Sequence, residues 1–449
     1  MDSQVLFSQT VPIRYQPDVL VVGGGPAGCA AAWAAAQLKK SVLLLEGHSC
    51  LGGLGTAGMV PAFMHISDGE HFLCAGFATQ LFNRLYHGEL NDCTFVDPDT
   101  GEVSTLLSIR AEDLKRSYDE LLEESGAEFY FHSQLIGVTM CGRKIDTAVF
   151  AAKSGLFAVR AKEFIDCTGD GNLSVMAGVG FDIGDENGHT MAASLCSLWS
   201  GIDWERVQKP DERELERAIE DGVFRIPDRS LPGMWKISDS VGGGNIGHIF
   251  NINAVDERSL TKGLIRGRQY MREYERYYKE YLTGFEKMEL VATGSLLGIR
   301  ESRRIRCQKP LTYSAFLERA VFEDEIGRYN YSVDIHPSNP SLKEHTITSR
   351  NYGARRLLKG ESYGIPYGSL VPQNTENLLV AGRCMGTDKL MQGSLRVMPG
   401  CYITGQAAGA AAALCTEQDC SPAELDVPAL QAALTNLGAY LPNFSGSSK

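Results

Sequence analysis

Arginine is dense in "LGIRESRRI", where Arg300, Arg303 and Arg304 crowd around Glu301. A guanidinium is a rigid fork of donors that grips carboxylate, phosphate or hydroxyl oxygens. A salt-bridged structural turn is the competing reading of the same cluster. A second polar group, Asp388, Lys389, Gln392 and Arg396, leads into an alanine-rich stretch near the C-terminus. Arg300 and Arg396 are the arginines best placed to orient a substrate or stabilise charge on it. Of the nine histidines, His65 and His248 each follow a glycine-rich loop. Imidazole titrates near neutrality, which suits proton transfer; an ordinary hydrogen-bonded histidine is the alternative for each. The chain has no G-x-S-x-G, no H-E-x-x-H and no paired-cysteine site, so no serine triad and no metal centre is expected.

Such groups act only where elements bring them together, and the clearest element is "VLVVGGGPAGCAAAWAAAQLKKSVLLLEG", residues 19–47. Val19 to Val22 is a wholly apolar run, the pattern of a parallel strand covered on both faces. Gly23, Gly25 and Gly28 give G-x-G-x-x-G, the alanine-rich run to Lys40 predicts a helix, and Ser41 to Leu45 predicts a second strand ending at Glu46. One glycine makes the tight turn, one lets backbone approach a pyrophosphate, and one lets helix and strand pack closely. The phosphates sit at the helix N-terminus, and Glu46 is placed to accept from a ribose diol. Strand, turn, helix, strand and acid in this order specify a dinucleotide far better than the glycines alone.

At 449 residues the chain is long enough for two or three domains, and its 43% hydrophobic and 22% charged residues are ordinary for a globular protein. A net charge of −12 argues against a nucleic-acid or anionic-membrane partner. No apolar run approaches the ~20 residues of a membrane helix, and no secretory signal is visible at the N-terminus. Twelve scattered cysteines without a C-x-x-C pair read as free thiols of a cytoplasmic protein.

Further along, residues 73–90 predict a helix and "FVDPDTGEVSTL" a hairpin. "RAEDLKRSYDELLEESG" predicts an amphipathic helix closed by Gly126. Runs at 134–140, 145–152 and 156–161 predict an antiparallel meander, and "EFIDCTGDG" a further strand of the first style. From 184 to 370 the composition shifts to charged helices, with "GGGN" at 242–245 reading as a loop and a long helix at 256–282. Tyr270, Tyr274, Tyr277 and Tyr281 form one stripe of that helix, a packing face. "NLLVAGRCMG" then returns to the strand-and-glycine style, followed by a helix of small residues suited to close packing.

The first unit with Glu46, "LGGLGTAGM", the meander, "IDCTGDG" and "NLLVAGRC…SLRVMPGCYITGQAAGAAAAL" together resemble the FAD-dependent oxidoreductases of the glutathione-reductase-like fold. "LGIRESRRI" and "LRVMPGCYITGQAAG" are similar to a bacterial family of FAD-dependent oxidoreductases. The resemblance spans nearly the whole chain and is weakest at 184–290. It implies an α/β fold: a Rossmann-like FAD-binding domain (1–183 and 371–449) with an inserted antiparallel meander, plus an α+β substrate or cap domain (184–370). It implies FAD contacts from Gly23, Gly25, Pro26, Ala27, Gly28 and Glu46, and from Gly53, Leu54, Thr56 and Ala57 in the loop beside the flavin. Leu135, Thr168, Gly169, Gly382, Arg383, Pro399 and Gly400 complete the implied set. A helix N-terminus at Pro399–Gly400 also suits the negative charge of a reduced flavin.

Two departures narrow the chemistry. Residues 54–60 lack the redox cysteines of the disulfide reductases, and the middle segment shows no second dinucleotide unit for a nicotinamide. Asp388–Lys389 also stands where similar sequences often carry a histidine. The expected activity is a dehydrogenase or oxidase that takes hydride to flavin N5 from a small polar, polyhydroxylated substrate. A reductase of an activated C=C bond, with an arginine on a carboxylate, and an electron-transfer subunit with a protein partner are the alternatives. A homo-oligomer is compatible with the sequence. The loop 54–65, the stretch 300–304 and the approach 388–400 are expected to bound the pocket.

Overall fold

The computed structural model describes residues 5–86, 94–96, 103–105, 107–208, 212–228, 233–341 and 356–445. Five parallel strands form the central sheet in the order Leu378–Val380, Glu163–Asp166, Val19–Val22, Val42–Leu45, Glu128–Tyr130. Val19–Val22 and Val42–Leu45 are buried along their whole length, as continuous apolar runs require when both faces are covered. The helix Pro26–Gln37 is buried from Ala27 through Ala36, and Met398–Gln418 is buried along most of its length. Apolar all round, each can exist only inside the protein. They pack against each other backbone to backbone: a Cβ on Gly405 would lie 2.1 Å from the Ala27 carbonyl oxygen, and one on Gly409 2.1 Å from that of Ala31.

The meander follows the sequence pattern closely, with Gln134–Cys141, Lys144–Ala152 and Gly155–Val159 paired antiparallel. Its outer edge takes a strand the sequence did not announce, Ile13–Tyr15, parallel to Gly155–Val159. Asn377 ties meander to parallel sheet, accepting from Ile145 N–H at 2.8 Å and donating to the Ile145 carbonyl at 2.9 Å. The helix expected at 73–90 is Phe77–Leu85. Gly76 breaks it on the N-terminal side, because its φ is +98° and a Cβ would lie 2.3 Å from Gln406 Oε1; residues 87–90 lie outside the described set. The expected hairpin pairs Thr94–Val96 with Val103–Thr105, and its turn is also outside that set.

A second hydrophobic core spans residues 193–299. Its antiparallel sheet runs Met234–Lys236, Gly242–Gly244, Ser197–Ser200, Glu289–Thr293. The helix Glu257–Tyr281 covers it, starting at Asp256, whose carboxylate accepts from Ser259 N–H at 2.6 Å. Tyr270, Tyr274 and Tyr277 are buried, while Tyr281 sits nearer solvent and donates to Asp221 at 2.7 Å. "GGGN" corrects the sequence reading: Gly242–Gly244 is an inner strand, not a loop. Propensity argued against it, but the space admits no side chains. A Cβ on Gly243 would lie 2.4 Å from Pro61 Cβ, and one on Gly242 2.5 Å from Ile202 Cδ1. Ile305, Cys307, Phe316, Tyr329, Tyr363 and Leu370 pack into the first core, although composition had grouped 300–370 with the second unit.

Candidate functional site

A cavity of about 400 Å³ lies where the parallel strands end and the chain turns outward, the usual ligand crevice of such sheets. Gly23 has φ +97°, and a Cβ there would lie 2.5 Å from the Cys167 carbonyl oxygen. A Cβ on Gly28 would sit 1.9 Å from the Gly23 carbonyl oxygen, so Gly28 closes helix onto turn and does not line the cavity. Gly25 lines it, and a Cβ there would meet nothing within 4 Å. Pro26 and Ala27 follow on the same wall, at the positive end of their helix.

Glu46 is buried, its Oε2 accepting from Gly24 N–H at 2.6 Å and its Oε1 from His48 N–H at 2.8 Å. The carboxylate thus shapes the turn as well as facing the cavity. Gly53, Leu54 and Ala57 line the adjoining wall; Thr56 does not, because its hydroxyl turns inward to the Leu51 carbonyl. Leu135 lines the far end with Ser133 and Gln134, which the sequence reading missed.

Thr168 and Gly169 are held by Asp166, a fully buried carboxylate that accepts from Thr168 N–H, Thr168 Oγ1, Ser174 N–H and Ser174 Oγ at 2.7–3.1 Å. Opposite them, Gly382 and Arg383 line the cavity, and Arg383 Nη2 donates to Asp170 at 2.8 Å. Its Nη1 is buried with no hydrogen-bond partner among the described residues. Asp170 also accepts from Ser302 Oγ at 2.6 Å; it stood in "DCTGDG" and was readable there. Pro399 and Gly400 do not line the cavity, although Met398 and Cys401 beside them do.

A second cavity of about 130 Å³ shares Leu54, Ile299, Arg396 and Met398 with the first. It gathers Val60 to Met64, Ile299–Arg300 and Arg396–Met398, so all three expected segments meet there. The arginine cluster divides. Arg304 pairs with Glu301 at 2.6 Å and donates to the Gly184 carbonyl, a structural role. Arg303 donates to the Asp170 carbonyl and to Asn172 Oδ1. Arg300 alone turns into the small cavity, donating to the Ala192 carbonyl at 2.9 Å, Ser194 Oγ at 3.0 Å and Asn245 Oδ1 at 3.3 Å. Gln392 donates to the Arg300 carbonyl at 2.8 Å. Asp388 caps its own helix, and Lys389 reaches the His189 carbonyl, so that pair is structural.

From the wall of the small cavity a chain of titratable groups runs outward; Arg396, Asp334 and His336 line the cavity, whereas His248 and Asp228 lie behind them. Arg396 Nη2 lies 2.8 Å from Asp334 Oδ2, and Asp334 Oδ1 lies 3.2 Å from His336 Nε2. His336 Nδ1 is 2.7 Å from His248 Nε2, and His248 Nδ1 is 3.1 Å from Asp228 Oδ2. Burial, aided by Arg300, pushes His336 down to about 3, and burial lowers His248 as well. Burial would raise Asp334, but His336, Arg396 and Arg300 outweigh it and hold the carboxyl well below its usual range. The two outer ring nitrogens, His336 Nε2 and His248 Nδ1, each face a carboxylate, and the two inner nitrogens share a hydrogen bond whose donor depends on the tautomer.

The structure leaves His65 outside both cavities. Its carbonyl accepts from Tyr329 at 2.8 Å, its ring meets Tyr331 edge-on at 5.2 Å, and burial lowers it to about 4. Tyr331, Asp334 and His336, which line the small cavity, were missed. The signal was "DIH": residues two apart on extended backbone share a face.

A parallel sheet with this glycine turn, a terminal acid and an arginine-bearing chamber beside the nucleotide crevice defines a dinucleotide-binding protein. The family model of FAD dependent oxidoreductases matches residues 18–434, and the chain belongs to that family. Its cofactor is FAD. No curated protein matches the chain. A geranylgeranyl bacteriochlorophyll reductase-like protein from Thermoplasma acidophilum is similar at 14% identity and TM-score 0.44, over 94% of this chain and 83% of that one. The p-nitrophenol 4-monooxygenase PnpA from Pseudomonas putida is similar at 12% identity and TM-score 0.43, over 96% and 91%. The myxobacterial chondrochloren halogenase CndH is similar at 14% identity and TM-score 0.43, over 94% and 78%.

The residues fit FAD. Gly25 leaves its side of the cavity open to a pyrophosphate, Arg383 presents an unpartnered donor, and Glu46 faces the crevice. Among the described residues no helix is long and apolar enough to cross a membrane.

Proposed function

We propose that this FAD-dependent oxidoreductase is a dehydrogenase or oxidase of a small polar, hydroxylated molecule, which binds in the 130 Å³ chamber. The observation that carries this reading is the shared wall of Leu54, Ile299, Arg396 and Met398, which sets the arginine-bearing chamber directly against the cofactor cavity. Bound FAD supplies a two-electron acceptor for a hydride from a C–H bond next to oxygen.

The chain's own groups do the rest. Arg300 and Arg396 orient the substrate oxygens, and Leu54, Val60 and Val397 exclude water from the facing wall. Asp334, His336 and His248 form a proton path away from the chamber, ending at Asp228, which His248 Nδ1 approaches at 3.1 Å. A neutral histidine pair held by a carboxylate can pass a proton along without storing charge in the chamber.

Anaerobic mixing of the yellow protein with alcohols, sugars, amines and hydroxy acids tests this. Bleaching by a hydroxylated member of the panel supports the reading. Bleaching only by amines, or by none of the panel, overturns it.

A further inference from the structure

Arg300 is 7% exposed, and among the described residues no carboxylate lies within ion-pair distance of it. Its donors reach only neutral oxygens, those of Ala192, Ser194 and Asn245. Burial and the neighbouring charge of Arg396 bring it down to about 10, which leaves it protonated at neutral pH. Asp334 is the carboxylate lining the chamber, and Arg396 already pairs with it at 2.8 Å. Among the described residues that line the chamber, two arginines therefore face one carboxylate, an excess of one positive charge. Holding an unpaired charge away from water is unfavourable, so such a site is completed by an anion. Arg396 also has a buried Nε with no partner among the described residues.

We infer that the chamber is a carboxylate subsite: the substrate is a small hydroxycarboxylate whose monoanionic carboxylate lies against Arg300. This rests on the chamber being the substrate pocket, and it narrows the substrate from hydroxylated molecules in general to hydroxy acids. The cavity is small, about 130 Å³, which favours a substrate of a few carbons. The charge sets the number of carboxylates: one balances Arg300, and a second would face Asp334 without a cation of its own. Nη1 spends both its protons on Ala192 and Ser194, so a carboxylate would meet the remaining Nη2 proton and the guanidinium charge, an interaction a neutral hydroxyl matches less well.

The test uses FAD-loaded protein in chloride-free buffer, titrated with glycolate and with glycolamide, its uncharged isostere. The flavin difference spectrum and the melting temperature are both read. Glycolate is expected to perturb the spectrum and raise the melting temperature, while glycolamide binds at least about tenfold more weakly, as expected when a charge-assisted bond is lost. In Arg300→Gln the preference for glycolate disappears. Equal binding of the two probes to the wild type, or an undiminished preference in a yellow, folded Arg300→Gln, overturns the inference. The wild-type comparison decides the matter even if Arg300→Gln fails to fold. Bleaching by neutral polyols without glycolate preference sinks the carboxylate subsite alone. Glycolate preference without bleaching by any hydroxylated compound sinks the dehydrogenase reading and leaves the subsite standing.

Discussion

Gly25→Ala separates holding the cofactor from holding the fold. Gly25 is the residue before the first turn of Pro26–Gln37, at φ −69° and ψ −176°, a conformation any residue adopts. Restricting the unfolded chain with alanine there stabilises by about 0.4–1 kcal/mol. Alanine is a poorer N-cap than glycine by roughly the same amount, so the two effects nearly cancel. The apo protein should melt within a few degrees of wild type. The new methyl, however, points into the cavity where it meets no protein atom. A pyrophosphate that must retreat by a methyl's width loses about 1–3 kcal/mol, a 5- to 150-fold weakening of FAD. Gly28→Ala is the contrast. Its Cβ would lie 1.9 Å from a backbone oxygen, so it should destabilise apo and holo forms alike by about 3 kcal/mol or more. Titration of apo protein with FAD, followed by flavin fluorescence, and melting of each apo variant measure both quantities. Wild-type FAD affinity in Gly25→Ala, or an apo Gly25→Ala as unstable as Gly28→Ala, would refute the assignment of the two glycines.

Other consequences are open to direct measurement. Arg383→Met should weaken FAD by roughly tenfold to a hundredfold, since a charged donor contributes about 1.5–3 kcal/mol, with little change in apo melting. Arg300→Lys should stay yellow while substrate bleaching slows, because lysine cannot form the fork; unchanged bleaching marks Arg300 as structural. Glu163 is buried, and burial raises its carboxyl to about 9. The unfolded carboxyl ionises near its ordinary value, so this residue costs stability as pH rises from about 4.5 to 9. Glu163→Gln should therefore gain about 2–3 kcal/mol over wild type at pH 8 and little at pH 4, by denaturant unfolding. His65 and His336 act in the opposite direction, with folded values of about 4 and 3. The unfolded imidazoles bind protons first, so stability falls from pH 7 to pH 5 by about 1–2 kcal/mol for each. His65→Asn should flatten that slope, and an unchanged slope counts against the burial argument.

The nucleotide half was legible because its chemistry is local. A turn that needs glycine at Gly23 and Gly28, and an acid at a strand end, are written within one stretch of chain. The meander was legible from its strand-like runs at 134–140, 145–152 and 156–161, and the helix Met398–Gln418 by its small residues. The chamber was only half legible. Arg300 and Arg396 stood out by residue type, but Ser194, Asn245, Asp334 and His336 become neighbours only through folding. Period and propensity carry no signal for such meetings. The three-glycine strand shows the same limit, since its reason is the nearness of Pro61 and Ile202, far away in sequence.

The close seam between Pro26–Gln37 and Met398–Gln418 has a consequence for how the protein is made. The first helix emerges from the ribosome early, yet the helix that covers it is complete only at residue 418. At about 5–20 residues per second, the nascent chain spends tens of seconds with an alanine-rich apolar face unsealed. The strand Leu378–Val380, which completes the parallel sheet, arrives equally late. Early and late segments thus form one cooperative unit, and a chain stopped before residue 378 is a client for chaperones rather than a smaller enzyme. FAD loading is in this sense a post-translational event, because Gly382 and Arg383 reach the crevice only after most of the chain has been synthesised.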